Sequence, residues 1–368
     1  MSGTSSAQPL HRIAIVGIGA IAELIARALG EIPGAKLVAG SCRTEAKGRK
    51  FAEQFKCDWF DSSERMLDEA KPEVAVICTP SGAHLEPARA AAARGIHVLC
   101  EKPLEITTAR VRQMIDACDR AKVKLGGIFP QRFNAVNVAM RETAAAGRFG
   151  NLAVIHAAVP WWRDDAYYAP TRWQGKAALD GGGALMNQAI HTIDLVQWFA
   201  AATMPNLPRD DNPVEEVFAY TAKRGHDEKL IEVEDSAAVT LRFRNGAIGQ
   251  VLAATSMYPG HRRRYQIAGR DGSVEVVEDQ LVHFDFRNAS PEDDAVRERF
   301  GAPTQHQGGS SNPMAIDYRP HQRNIENFLA SLEGKMPPLL TGRESLKAVA
   351  IIEACYESAR TGKAALIH

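Results

Sequence analysis

After a short polar leader the chain has an uninterrupted apolar run, rich in β-branched residues, from Ile13 to Val16, the pattern of a strand buried on both faces. The spacing then becomes helical up to Gly30, and the alternation repeats. Short apolar runs fall at 36–40, 57–60, 74–78, 96–100 and near 123–127, with helical patterns between them, the last over 108–121. Strands alternating with helices predict a doubly wound parallel sheet whose ligands lie beyond the carboxyl ends of its strands. From Ile128 the pattern changes. Residues 131–134 lead into a helix, 152–160 read as a long strand, and further strands fall near 214–223, 235–244, 247–257, 262–269 and 273–278. Asn245-Gly246 is a hairpin signal between two of these. This half predicts an open, largely antiparallel sheet with helices. Residues 287–312 are polar, contain Gly, Ser and Pro, and read as a long loop bordering a site. Helices near 317–332 and 342–360 complete the chain, with no internal repeat.

A length of 368 residues exceeds one small core and implies two domains. The 44 basic and 44 acidic side chains balance, so no global field recruits nucleic acid or an anionic membrane. The six cysteines, at 42, 57, 78, 100, 118 and 355, form no CxxC pair and no grouping with histidine. They fit a reduced compartment rather than a disulfide framework or a metal site. The leader lacks the apolar core of a signal peptide and no apolar run would span a bilayer, so the expectation is a soluble, cytoplasmic protein.

Gly17, Gly19 and Ala22 form G-x-G-x-x-A between the first strand and its helix. The first glycine permits a tight turn, the second lets backbone approach a pyrophosphate, and the small third residue lets helix pack on strand. Gly17, Gly19, Ala20 and Ile21 are therefore candidate dinucleotide contacts, beside the N–H groups and positive dipole end of the helix. The second strand ends in Ser41-Cys42-Arg43, with no acid before Glu45. An acid there would hold the ribose hydroxyls of NAD, whereas Ser41 and Arg43 suit the 2′-phosphate of NADP. Hydroxyl-rich strand ends also accept NAD, so the cofactor is NADP or NAD, with NADP favoured. Thr79, Pro80 and His84 follow one further strand, and Glu101 and Lys102 end another; these join the candidate cofactor contacts. Lysine at a buried strand end is unusual unless paired or functional. The reading divides the chain into a Rossmann dinucleotide-binding domain, 1–127, and a substrate-binding and oligomerisation domain, 128–368, whose C-terminal helices are placed to pack back on the first.

In the second half, residues 181–194 read GGGALMNQAIHTID. Three glycines suit a turn that passes close to a ligand before a helix begins. That helix is apolar over a broad surface. Asn187 and His191, four residues apart, project from one face, and Asp194 can reach toward the histidine. Alone, His191 would more readily be a core histidine in a hydrogen-bond network; the neighbouring glycines and the rest of the chain reverse that. Between 160 and 183 lie five aromatics among charged residues, a composition that suits a carbohydrate. Trp162, Arg163, Tyr167, Tyr168, Arg172 and Trp173 are candidates, together with Gln131, Arg132, Asn187 and His191. HRRRY at 261–265 reads as an alternating strand with a solvated basic face, or alternatively as a holder of a sugar-nucleotide phosphate.

These motifs together (GIGAIA at 17–22, TPSGAH at 79–84, EKP at 101–103 and GGG…N…H..D at 181–194) make the chain resemble the Gfo/Idh/MocA oxidoreductases over nearly its whole length. The resemblance implies catalytic roles for Lys102 and His191 and puts Asn187 where the family has aspartate. An asparagine orients a hydroxyl or an imidazole but cannot take a proton. The implied reaction is reversible hydride transfer between a nicotinamide and a ring hydroxyl or ketone of a sugar, with His191 as base and Lys102 stabilising the alkoxide. The wording of the glycine segment is most similar to 3-dehydrogenases of glycosides or nucleotide sugars. Alternatives are an anhydrofructose-type keto-sugar reductase, an NAD-assisted glycoside hydrolase and a non-catalytic cofactor-binding sensor. The partners expected are a small carbohydrate and, on resemblance alone, further copies of the chain as a homodimer or homotetramer.

Overall fold

The computed structural model describes residues 10–302 and 317–367. The chain divides into two compact units: Met1–Leu104 with Arg110–Ile128 and Tyr318–Gly342, and Glu105–Ala109 with Phe129–Asp317 and Arg343–His368.

The first unit is a six-stranded parallel sheet. Its strands are β1 (His11–Val16), β2 (Ala35–Ser41), β3 (Asp58–Phe60), β4 (Val74–Ile77), β5 (His97–Glu101) and β6 (Leu125–Ile128), ordered β3-β2-β1-β4-β5-β6. β1 pairs with both β2 and β4, so the order of addition reverses there and a crevice opens at the carboxyl ends of β1 and β4. The helix Ala20–Gly30 buries Ile25 and Leu29 against Ile13, Ile15, Val74 and Val76. The same core takes Ile325, Phe328 and Leu329 from the helix Arg319–Leu332. Gly126 on β6 is shaped to this helix, since a Cβ there would lie 2.6 Å from the Phe328 ring.

The second unit holds an eight-stranded mixed sheet. Its strands are β7 (Leu152–Pro160), β8 (Val214–Ala222), β9 (Ser236–Phe243), β10 (Ile248–Ala254), β11 (Arg264–Gly269), β12 (Gly272–Val277), β13 (Gln280–Phe286) and β14 (Ala365–Leu366). The order is β13-β12-β11-β7-β10-β9-β8-β14, antiparallel except where β7 meets β10. β9 and β10 are joined at Asn245-Gly246, with Gly246 at φ +84°. On β9 buried and exposed residues alternate strictly from Ala237 to Phe243, so one face of the sheet is core and the other open.

Two sequence expectations change here. β13 and a helix at Pro291–Phe300 lie where the pattern gave no strand and a long loop. The helix is polar nearly all round, which hides its period, but Ser290 and Asp293 close a capping box with Pro291 at its start. Residues 303–312 of that expected loop lie outside the described residues. The basic segment 261–265 has the expected alternation, with Arg262 and Arg264 exposed and Tyr265 buried. β11 begins only at Arg264, and Arg263 is buried, its backbone N–H donating to Glu278 Oε1 at 2.7 Å and Nη2 to the Glu278 carbonyl at 3.1 Å. All six cysteines are free thiols. Among the described residues no cluster of His, Cys, Asp or Glu could hold a metal ion, and no helix is long and apolar enough to cross a membrane.

Candidate functional site

In the parallel-sheet unit the chain leaves β1 through Gly17 at φ +94°. A Cβ there would sit 2.8 Å from the Thr79 nitrogen, so glycine lets the first turn lie against the end of β4. Gly19 then caps the helix Ala20–Gly30 in extended conformation, and a Cβ added to it would meet nothing within 4 Å. The second glycine thus faces open space at a helix N-terminus whose first N–H groups have no partners within the helix. That is a cradle into which a pyrophosphate fits. Ser41 is buried at the end of β2 and Arg43 is exposed beyond it; Glu45, the first acid, pairs with Arg49 at 2.8 Å.

Thr79 and Pro80 are half-buried at the end of β4, with Thr79 Oγ1 donating to the Ala83 carbonyl at 2.9 Å. His84, expected to face a cofactor, is 1% exposed and lies between main-chain carbonyls, Pro103 at 2.8 Å from Nδ1 and Thr79 at 2.8 Å from Nε2. It fastens the 79–84 loop to the turn that follows Lys102. Glu101 is buried as well; its Oε2 accepts from the Lys102 backbone N–H at 3.1 Å, and burial pushes the carboxyl up to about 7. Its Oε1 is buried with no hydrogen-bond partner among the described residues, an orphaned acceptor at a strand end where a ligand donor would satisfy it. Lys102 is half-buried and precedes a cis proline. Glycine cradle and orphaned carboxylate oxygen together fit a dinucleotide.

In the mixed-sheet unit the three glycines are demanded by the protein itself. Gly181 ends the short helix Ala177–Asp180 at φ +73°, and a side chain there would strike Ile106. A Cβ on Gly182 would overlap Tyr356 Oη, and one on Gly183 the Glu234 carbonyl. The expected close ligand approach is therefore a close approach of the chain to its own core. Glu234 holds the turn: its carboxylate accepts from the N–H groups of Gly183 at 3.0 Å and Leu185 at 2.8 Å and from Tyr356 Oη at 3.0 Å. Burial raises its carboxyl against the pull of those donors.

The expected helix starts as a π-helix, Ala184–Ala189, before the α-helix Ile190–Ala202. A π segment widens the turn and recurs at functional sites. From Gly182 to Ala200 every residue is buried except His191, which is half-exposed, with the Phe129 ring edge-on at 6.0 Å. Asn187 is buried, and its Nδ2 donates to Asp180 Oδ1 at 2.6 Å. Gln188 Nε2 donates to Tyr167 Oη at 2.9 Å, while Gln188 Oε1 accepts from Arg163 Nη2 at 2.8 Å. Arg163 is buried as well, so its part in this patch is to hold Gln188. Asp194 does not serve the histidine as expected; both its oxygens accept from Arg132, at 2.7 and 2.6 Å. Arg132 is 1% exposed and also pairs with Glu344 at 2.9 Å, so a buried ion cluster, not a sugar, holds this guanidinium. Gln131 turns inward too, accepting from Asn137.

Of the aromatic candidates, Trp162 stacks on His226 at 5.7 Å and Tyr168 donates to Thr255 Oγ1 from the buried side. Tyr167 and Trp173 are half-exposed, and Arg172 is exposed with its guanidinium 5.6 Å from the Tyr167 ring centre. Sequence reasoning missed Asp180, Gln188, His226 and Glu234. Asp180 had a signal in its place directly before the glycines; the others are joined through contacts distant in sequence or through hydrogen-bond direction.

Residues 11–128 match the family model described as oxidoreductase family, NAD-binding Rossmann fold, and residues 141–366 match the oxidoreductase family C-terminal alpha/beta domain. Among solved structures, the WlbA dehydrogenase of Bordetella pertussis in complex with NADH and UDP-GlcNAcA is 30% identical, with a TM-score of 0.86 and 98% of each chain covered. The D-glucoside 3-dehydrogenase of Escherichia coli is 25% identical over 98% of this chain and 99% of its own length. The myo-inositol 2-dehydrogenase of Thermotoga maritima is 24% identical over 94% of this chain and 96% of its own length.

Proposed function

The chain belongs to the Gfo/Idh/MocA oxidoreductase family of NAD(P)-dependent dehydrogenases acting on sugar CH–OH groups, and from that premise we propose that it oxidises, reversibly, the C3 hydroxyl of a glycoside or nucleotide sugar. The observation behind this reading is His191, the one half-exposed position from Gly182 to Ala200. An imidazole titrates near working pH and suits a general base. His191 Nδ1 is buried, so Nε2 takes the hydroxyl proton. The Lys102 ammonium stabilises the developing alkoxide, and the buried Asn187 amide orients the reacting sugar. Trp162, Tyr167, Arg172 and Trp173 supply the sugar-facing wall, with Arg163 bracing it from within. Gly17, Gly19, Ala20, Ile21, Thr79 and Glu101 hold the dinucleotide, which when bound supplies the hydride acceptor. The acid-free strand end at Ser41 and Arg43 favours NADP, although the Bordetella relative holds NADH. Support for C3 comes from the E. coli D-glucoside 3-dehydrogenase, and support for a nucleotide sugar from the UDP-GlcNAcA bound by the Bordetella enzyme.

The open face of the eight-stranded sheet is the surface for a homodimer in this proposal. Val154 on β7 lies directly across from Ile248 on β10, and Leu252 from Ala238, which in turn faces Tyr220. Val154, Ile248, Leu252 and Tyr220 are all exposed, Tyr220 by 68%.

The test follows nicotinamide absorbance with NAD or NADP on UDP-N-acetylglucosaminuronate, alkyl glucosides and myo-inositol. Turnover of the first two, saturating at lower NADP than NAD, is expected; turnover of inositol alone would sink the C3 assignment. Lys102→Met should keep cofactor binding, and both it and His191→Ala should lose about a hundredfold or more in kcat. Wild-type turnover in either variant removes that residue from the mechanism.

A further inference from the structure

Asp180 is fully buried. Its Oδ2 accepts from the Gly175 N–H at 2.8 Å and its Oδ1 from Asn187 at 2.6 Å. A carboxylate only accepts, so it dictates which end of the Asn187 amide faces it: Nδ2 turns to Asp180 and Oδ1 away. The opposite end of the network is equally one-sided. The Arg163 guanidinium only donates, and it fixes Gln188 with Oε1 toward itself at 2.8 Å. Gln188 Nε2 is left to donate to Asn187 Oδ1 at 3.2 Å and to Tyr167 Oη at 2.9 Å. Two amides that could each point either way are held in single orientations between a buried cation and a buried anion.

We propose that Asp180 is a positioning residue for the reaction: it sets the direction of the Asn187 amide, and positions 180 and 187 act as a pair that accommodates one carboxylate and one amide. The inference rests on the reading of this helix as the catalytic wall. At 2.6 Å two carboxylates cannot both ionise, so an aspartate at 187 is incompatible with Asp180 unless they share a proton. Moving the carboxylate to 187 and the amide to 180 restores a matched pair, because the same hydrogen bond then runs in the opposite direction.

The experiment compares wild type, Asp180→Asn, Asn187→Asp, the double swap Asp180→Asn/Asn187→Asp, and His191→Ala. For each, the pH dependence of the melting temperature is read without substrate, and kcat and KM with the substrate that wild type turns over. Asn187→Asp should be at its most stable at acid pH and lose melting temperature as pH rises through the titration of the shared proton. The double swap should abolish that loss. Asp180→Asn should melt near wild type yet lose about tenfold to a hundredfold in kcat at little-changed KM, as expected of a misdirected group. The swap should regain most of what Asn187→Asp loses. A double swap no better than Asn187→Asp in both readouts overturns the pairing, and wild-type kcat in Asp180→Asn overturns the positioning role. Wild-type turnover in His191→Ala would instead remove the catalytic wall, while the melting data still judge the pair.

Discussion

His226 and Asp235 sit behind the Trp162 wall and respond to pH from opposite sides. Burial alone would depress the His226 imidazole, but its bonds to the Asp235 carboxylate at 3.2 Å and to the Arg163 carbonyl at 2.8 Å outweigh that and hold it above its usual value. Burial would likewise raise Asp235; the imidazole, the N–H groups of Arg224 and Gly225 and the Ser236 hydroxyl bring it down to about 2. A raised histidine stabilises the fold fully below its unfolded value of about 6.5, and that gain vanishes as pH rises through the folded value. A depressed aspartate contributes above its ordinary value and is lost as pH falls toward 2. His226→Gln should therefore lower stability by about 1 kcal/mol at pH 6 and flatten the decline between pH 6 and 9, read from urea midpoints. An unchanged alkaline limb would discard the pair as its source. At this scale the places of Lys102 after a strand and of His191 in an apolar helix were legible, because an ionisable group there stands out. Gln188 and His226 were not: what matters there is which atom donates to which, and one-dimensional pattern carries no direction.

The turn Gly181–Gly183 decides the shape of the element after it. Gly183 accepts from both the Asn187 and Gln188 N–H groups, at 3.0 and 3.4 Å, while the Glu234 carboxylate takes those of Gly183 and Leu185. The first turn is thereby opened into a π-helix and Asn187 swings back to Asp180. The broad apolar surface predicts only an ordinary helix, since burial on every side leaves no stripe to reveal the wider period. Gly182→Ala should destabilise by about 1–3 kcal/mol through overlap with Tyr356, measured by urea unfolding, and adding Tyr356→Ala should recover part of that loss. If the double variant is worse than additive, the overlap is not the cause. Most strands were legible from their apolar runs. β13 was not: Val282, His283 and Asp285 put exposed and polar residues through it and it follows β12 by only two residues.

For the whole molecule, the open sheet face makes a claim about assembly. Ile248→Asp with Tyr220→Asp leaves the core face of β10 and β8 untouched and places charge where two apolar faces would meet. Light scattering should find the wild type at twice the chain mass or a multiple, and the variant at the single-chain mass; a wild type that is monomeric at micromolar concentration refutes the interface. Two architectures were legible from the switch in pattern near 128. The first unit is itself composed of three separate stretches, the helix Arg319–Leu332 lying in the third. That arrangement bears on how the protein is made. A ribosome releases the six strands of the nucleotide-binding sheet long before it reaches Ile325, Phe328 and Leu329. The nascent sheet must therefore wait, with the groove beside Gly126 uncovered, while the whole mixed-sheet unit is synthesised up to that helix. The segment first to emerge is among the last to be finished.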